Sequence, residues 1–176
     1  MRYLSLTLLP LLVVACTDQQ PVAPDAAPLF SVVGPHKQPI SGVLDFVGGG
    51  APAYVHETPS GICHVWDFPV YGTFDGAVVG TVTFYEYQNR PCEGGGHLVG
   101  RGPFEADVTW DGHSGKISGM WTTNCEPDPS QPIGLYCDGT MNAQGSEGLE
   151  GFHFHFKWGQ ESGWWPFDYA GTVHYN

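Results

Sequence analysis

Apolar and polar positions in this chain alternate with a period of two, and no long stretch carries a 3.6-residue apolar period. The clearest case is residues 145–158, GSEGLEGFHFHFKW. After a glycine-rich turn, Phe152, Phe154, Phe156 and Trp158 fall on one side, and His153, His155 and Lys157 on the other. That is the period of a β-strand, not of a helix. Four large rings need burial, so this strand belongs at the centre of the core, with its register fixed by the aromatic face. The two histidines then face outward.

The same pattern recurs on either side. It predicts strands over residues 40–47 (ending at Gly48-Gly49-Gly50), 62–68, 97–101, 104–110, 116–124, 135–143 and 168–175. Residues 70–88 predict two strands, bent or turned near Asp75-Gly76 or Gly80, and Asp111-Gly112 is a strong turn signal. Residues 80–84 (GTVTF), 106–110 (ADVTW) and 171–175 (GTVHY) each put a valine and an aromatic on one face and Thr, Asp or His on the other. Regular short strands with one apolar face indicate an all-β fold. An antiparallel β-barrel is expected, with a β-sandwich as the alternative.

Composition supports this. Gly 25 and Pro 15 are close to low-complexity levels, yet Trp 6, Tyr 8 and Phe 10 are too many rings for a disordered chain. Many short strands joined by tight turns reconcile the two. Beyond residue 15, Asp+Glu 18 face five basic residues (Lys37, Arg90, Arg101, Lys116 and Lys157), a net charge of about −13. Such a surface repels phosphate backbones, so no nucleic-acid partner is expected.

The N-terminus reads differently. Arg2 precedes an apolar run over residues 4–14, too short to span a bilayer as a helix. Val13-Val14-Ala15-Cys16 resembles the lipobox of bacterial lipoproteins. The resemblance implies a signal peptide over residues 1–15, cleavage before Cys16 and lipidation of Cys16, giving a membrane anchor through acyl chains. Residues 16–38 then form a flexible, proline-rich tether, and residues 39–176 one β-barrel domain. Thr17, rather than Asp, follows the cysteine, which by the same resemblance favours the outer membrane of the bacterial cell envelope.

Gly145-Ser-Glu-Gly-Leu-Glu-Gly151 before an aromatic strand, with Asp168-Tyr-Ala-Gly-Thr-Val-His174 at the end, resembles the last hairpin of small secreted allene oxide cyclase-like and lipocalin-like barrels. The likeness covers the final third of the chain and implies an architecture, with no catalytic residue carried over.

Cys63, Cys92, Cys125 and Cys137 are an even set in an exported chain and read as two disulfides. Cys125 and Cys137 flank a proline-rich loop between adjacent predicted strands, so local closure is the simplest pairing, leaving Cys63 with Cys92. Zinc through these cysteines is disfavoured, because no pair has C-x-x-C spacing.

His153 and His155 form an H-x-H on one strand face and are candidate ligands for a divalent metal, with His64, His97, His113 or His174 as a third ligand. The plainer reading makes them the solvent face of an amphipathic strand, with no cofactor. Trp164, Trp165 and Phe167 lie between the last two predicted strands. They can plug one end of the barrel, contact a ligand, or rest on a membrane or partner. The carboxylates offer no decisive catalytic pair: Glu105 and Asp107 share a strand face as many solvated acids do, and no G-x-S-x-G, P-loop or H-E-x-x-H is present. The leading expectation is a non-catalytic binding module for a small apolar or sugar-like ligand. The alternatives are a barrel isomerase or cyclase, a histidine-metal enzyme, and a surface protein-interaction domain.

Overall fold

The computed structural model describes residues 37–131, 134–159 and 166–175. Among these residues nine strands follow one another: β1 (Gln38–Gly49), β2 (Tyr54–Glu57), β3 (Ile62–Gly76), β4 (Val78–Pro91), β5 (Leu98–Trp110), β6 (His113–Pro127), β7 (Leu135–Ser146), β8 (Phe152–Gly159) and β9 (Phe167–Tyr175). Each of β3 to β9 pairs antiparallel with its neighbour in sequence. β1 pairs with β9 on one side and with the second half of β3 on the other. That last ladder closes β1 and β3 to β9 into a ring of eight strands, so the all-β antiparallel barrel is the fold and the sandwich alternative falls. β2 stays outside the ring, paired to the first half of β3.

The alternation explains the closure. Along β5, Phe104, Ala106, Val108 and Trp110 are buried while Pro103, Glu105, Asp107 and Thr109 are exposed. On β8, Phe154, Phe156 and Trp158 are buried, Phe152 is half-buried, and Lys157 is exposed. The apolar side lines the inside and the polar side meets solvent, the opposite polarity to a barrel that spans a membrane. Among the described residues no helix is long and apolar enough to cross one.

Three elements depart from the expected strands. Residues 62–68 and the strand beginning at Val70 are one element, β3, bent at a bulge between Val65 and Phe68 where Asp67 takes a positive φ of 49°. The hairpin to β4 turns after Gly76, not at Gly80. Residues 97–101 and 104–110 also merge, into β5. Gly102-Pro103 reads as a break, yet the strand runs through because Gly102 lies against β4: a Cβ there would sit 1.7 Å from the Tyr85 carbonyl oxygen. The four residues of β2 are all exposed and carry no apolar face by which to detect a strand.

One end of the barrel is closed. Leu149, in the turn between β7 and β8, is fully buried. The Tyr169 hydroxyl accepts from the Val78 amide at 3.0 Å and donates to the Val78 carbonyl at 3.2 Å, tying β9 to the start of β4. Phe74 stacks on Phe156 at 5.6 Å above them. An eight-stranded barrel is just wide enough for side chains to fill, and this half is filled.

Both expected disulfides are present. Cys125 and Cys137 are directly opposite across β6 and β7, with Cα atoms 4.1 Å apart. Cys63 and Cys92 join the start of β3 to the end of β4, with Cα atoms 4.9 Å apart. By loop length they contribute about 3 and about 4 kcal/mol, respectively, chiefly by restricting the unfolded chain.

Candidate functional site

Among the described residues, the other end of the barrel is not filled. Five rings form a closed circuit beneath it: Phe46 to Phe84 at 5.4 Å, Phe84 to Trp121 at 4.6 Å, Trp121 to Trp158 at 6.0 Å, Trp158 to Phe167 at 4.9 Å, and Phe167 back to Phe46 at 5.5 Å. These rings come from five strands (β1, β4, β6, β8 and β9), so the collar exists only because the sheet closes. Above Phe84, the other four rings help to line a cavity of about 330 Å³. Phe68, Val70, Leu98 and Leu135 add apolar walls, and the Cys125–Cys137 pair braces one side. This volume is at the lower end of the usual range for small-molecule sites, about 300–1,000 Å³.

Trp158 reaches its place because β7 makes room for it. A Cβ on Gly139 would lie 2.6 Å from both Cε2 and Nε1 of the indole. A side chain there would push the ring off the wall.

Polar groups enter this apolar space by the same alternation that built it. Val82, Phe84, Glu86 and Gln88 are successive inward positions of β4, and all four are buried. The Gln88 side-chain amide donates to the Glu86 carboxylate. Burial pushes the Glu86 carboxyl up to about 8, and Arg90 pulls the other way by less. Glu86 is therefore largely uncharged at neutral pH. Thr123 is buried in the same cavity wall.

Three fully buried polar atoms on residues of this wall have no hydrogen-bond partner among the described residues: Trp121 Nε1, Trp158 Nε1 and Gln88 Oε1. Each such buried group costs about 1–3 kcal/mol when left unmet. An enclosed, mainly apolar pocket is the usual form of a small-molecule site.

The expected site residues are distributed unequally around this cavity. Phe167 is not in a loop; it opens β9, is buried, and forms part of the collar. Trp164 and Trp165 lie outside the described residues, as does Cys16. His153 and His155 project from the outer face, as the alternation requires. His153 stacks on His174 at 5.0 Å, and His155 Nδ1 donates to Asn142 Oδ1 at 2.6 Å. His64 and His97 are tied to Asn89 and Asn124 on other strands, and His113 packs on Phe152. No group of three or more His, Cys, Asp and Glu that could hold a metal occurs among the described residues. Glu105 is on the outside, accepting from the Tyr85 hydroxyl at 3.1 Å.

Two outer grooves differ from the barrel mouth in character. The larger, about 1,070 Å³, crosses the row Arg101, Thr122, Thr140, Lys157 and Ala170. It is an outer-face groove whose lining mixes threonines and glycines with Arg101, Tyr136 and Lys157. The smaller, about 320 Å³, is bounded by His64, Trp66, Tyr87, Asn89 and Arg101 and is mainly polar. The barrel mouth is set apart by its ring of aromatic side chains and its mainly apolar walls.

Comparison with protein-family models, with curated proteins and with solved structures finds no match to this chain. The functional reading therefore rests on the cavity.

Sequence reasoning passed over Glu86, Gln88 and Trp121. A signal was present. Continuing the inward register of Val82 and Phe84 by steps of two reaches Glu86 and Gln88, an apolar face that turns polar while still inside the barrel.

Proposed function

We propose that this chain is a non-catalytic binding protein of the bacterial cell envelope, anchored by a lipid on Cys16, whose barrel holds a small apolar ligand in the cavity at its open end. The observation that carries the reading is the 330 Å³ cavity above the collar of Phe46, Trp121, Trp158 and Phe167. Rings and aliphatic walls suit an apolar body, and burial of its surface at about 25 cal/mol per Å² supplies the affinity. Two disulfides fit an oxidising compartment outside the cytoplasm. The Val13-Val14-Ala15-Cys16 resemblance supplies the anchor, and Thr17 favours the outer membrane.

The test uses the neutral dye N-phenyl-1-naphthylamine and the variant Leu98→Trp, which places a ring in the cavity. Wild-type protein should bind the dye saturably at about one site per chain. Leu98→Trp should weaken binding by at least about tenfold while keeping the far-ultraviolet dichroism and thermal midpoint of the wild type. Equal binding by the filled variant, or no saturable binding by the wild type, would overturn the reading. For the anchor, fatty-acid labelling in cells should mark the wild type and not Cys16→Ala; label on both would remove Cys16 from that role.

A further inference from the structure

The outer face of β2 and β3 carries aromatic rings that the core does not use. Tyr54 and His56 on β2 lie opposite Trp66 and His64 on β3. The four rings form a panel: Tyr54 to Trp66 at 5.1 Å, Trp66 to His64 at 5.8 Å, His64 to His56 at 6.3 Å, and His56 back to Tyr54 at 6.5 Å. Tyr54 is 56% exposed, and no side chain of β2 is buried. This strand takes no part in closing the barrel; it widens the panel. A cluster of exposed rings marks a surface that contacts something else.

The bulge in β3 joins the panel to the smaller outer groove. Val65 pairs with Gln88 and Phe68 with Glu86, so Trp66 and Asp67 together oppose Tyr87. Bulges of this kind re-aim side chains next to binding sites. The Asp67 carboxylate accepts from the Tyr87 hydroxyl, which holds that ring on the groove wall. His64, Asn89 and Arg101 line the same groove of about 320 Å³. His64 Nδ1 donates to Asn89 Oδ1 in an exposed hydrogen bond. In the neutral imidazole this leaves His64 Nε2 as an acceptor and the Asn89 amide nitrogen as a donor. Arg101, opposite Tyr87 across β4 and β5, is exposed, adds N–H donors and has no ion pair among the described residues.

Rings beside mixed donors and acceptors match a sugar. A pyranose has a face of C–H groups that covers an aromatic ring and a rim of hydroxyls, each both donor and acceptor. A purely apolar ligand would desolvate Asn89 and Arg101 with nothing in return. The formal net charge of −12 disfavours a polyanion at long range.

We propose that this panel and groove bind a neutral saccharide, a pyranose face lying on Trp66 and its hydroxyls bonded to Asn89, His64 and Arg101. The site is on the outside of the sheet and does not depend on the barrel mouth being a site.

The test is isothermal titration calorimetry of the protein with three neutral tetrasaccharides (cellotetraose, maltotetraose and chitotetraose) and one anionic one, tetragalacturonate. At least one neutral sugar should bind at about one site per chain, with a Kd of about 1 mM or tighter. Trp66→Ala should weaken that sugar at least about tenfold and Asn89→Ala several-fold, both leaving N-phenyl-1-naphthylamine binding unchanged. If Trp66→Ala also lost the dye, the barrel itself would have been disturbed, and the exposed Asn89 would decide alone. Failure of all three neutral sugars to bind the wild type would overturn the proposal while dye binding kept the barrel mouth as a site; sugar binding without dye binding would do the reverse. Equal sugar binding by Asn89→Ala, or by a folded Trp66→Ala, would place the sugar elsewhere and refute the assignment. Tetragalacturonate binding as tightly as the best neutral sugar would overturn the neutral class.

Discussion

Replacing Glu86 by glutamine probes the electrostatics of the barrel mouth through stability alone. Glu86 is 6% exposed and faces aromatic and aliphatic walls. Burial pushes its carboxyl up to about 8 in the folded barrel, against 4.5 for a free glutamate side chain. Between those two values the folded chain keeps a proton that the unfolded chain has released. The unfolded state then binds fewer protons, so stability must fall as pH rises. The contribution of the protonated carboxyl is fully present below pH 4.5 and is lost progressively up to about pH 8. At about 1.4 kcal/mol per pH unit, the loss is about 3 kcal/mol at pH 7 and about 5 kcal/mol once the folded group has ionised. Glutamine keeps the size and polarity of the side chain and cannot ionise. Urea unfolding of both proteins, followed by tryptophan fluorescence with disulfides intact, should be run at pH 4, 5.5, 7 and 8.5. The two should agree within about 1 kcal/mol at pH 4, the scale of one neutral hydrogen bond. The advantage of Glu86→Gln should then grow with pH and level off above 8. Other titrating groups are common to both chains and cancel in the difference. A difference that stayed constant from pH 4 to 8.5 would mean that the Glu86 carboxyl ionises normally in the fold, and the account of a dry, uncharged barrel mouth would be refuted.

Two further substitutions test the packing. Phe154 is 2% exposed and lies between Ala143 and Val173 in the sheet, so Phe154→Ala should lower unfolding free energy by about 3–5 kcal/mol, while His153→Ala on the outer face should change it by less than about 1 kcal/mol; a larger loss from the histidine would reverse the assignment of faces. Gly139→Ala should cost at least about 1–3 kcal/mol and shift the near-ultraviolet dichroism of tryptophan, because a methyl group there meets the Thr122 carbonyl oxygen at 1.9 Å and the Trp158 indole at 2.6 Å; an unchanged tryptophan spectrum would show that the wall of the cavity is looser than described.

Much of this architecture was legible in the sequence, because one-face burial in a sheet leaves a period-two trace in each strand. Phe152 to Trp158 announced the inward face of β8 and the outward face of its histidines, and the spacing of the cysteines indicated both pairings. What was not legible is what depends on contacts distant in the chain. Asp67-Phe68-Pro69 reads as the end of a strand, and only pairing to β4 on one side and to β1 or β2 on the other shows that β3 continues through a bulge. Gly102-Pro103 reads as a break, and only the close approach of β4 shows why glycine is needed there. The candidate site was half-read. Phe167 was expected near one end of the barrel, but the collar draws its rings from five strands, and no local window contains them. Glu86 looked like one of 18 acids until the closure of the ring put it inside.

The direction of β1 has a consequence for access. Its first residue, Gln38, is level with Val173 at the closed end, and Phe46 and Gly49 reach the open end. Eight residues of extended chain separate Gln38 from Phe46, about 26 Å along the strand. β1 thus enters the barrel at its stopped end. A displacement of Gln38 is met first by the Ile40 and Val173 layer of the core, a full strand length from the Phe46 ring.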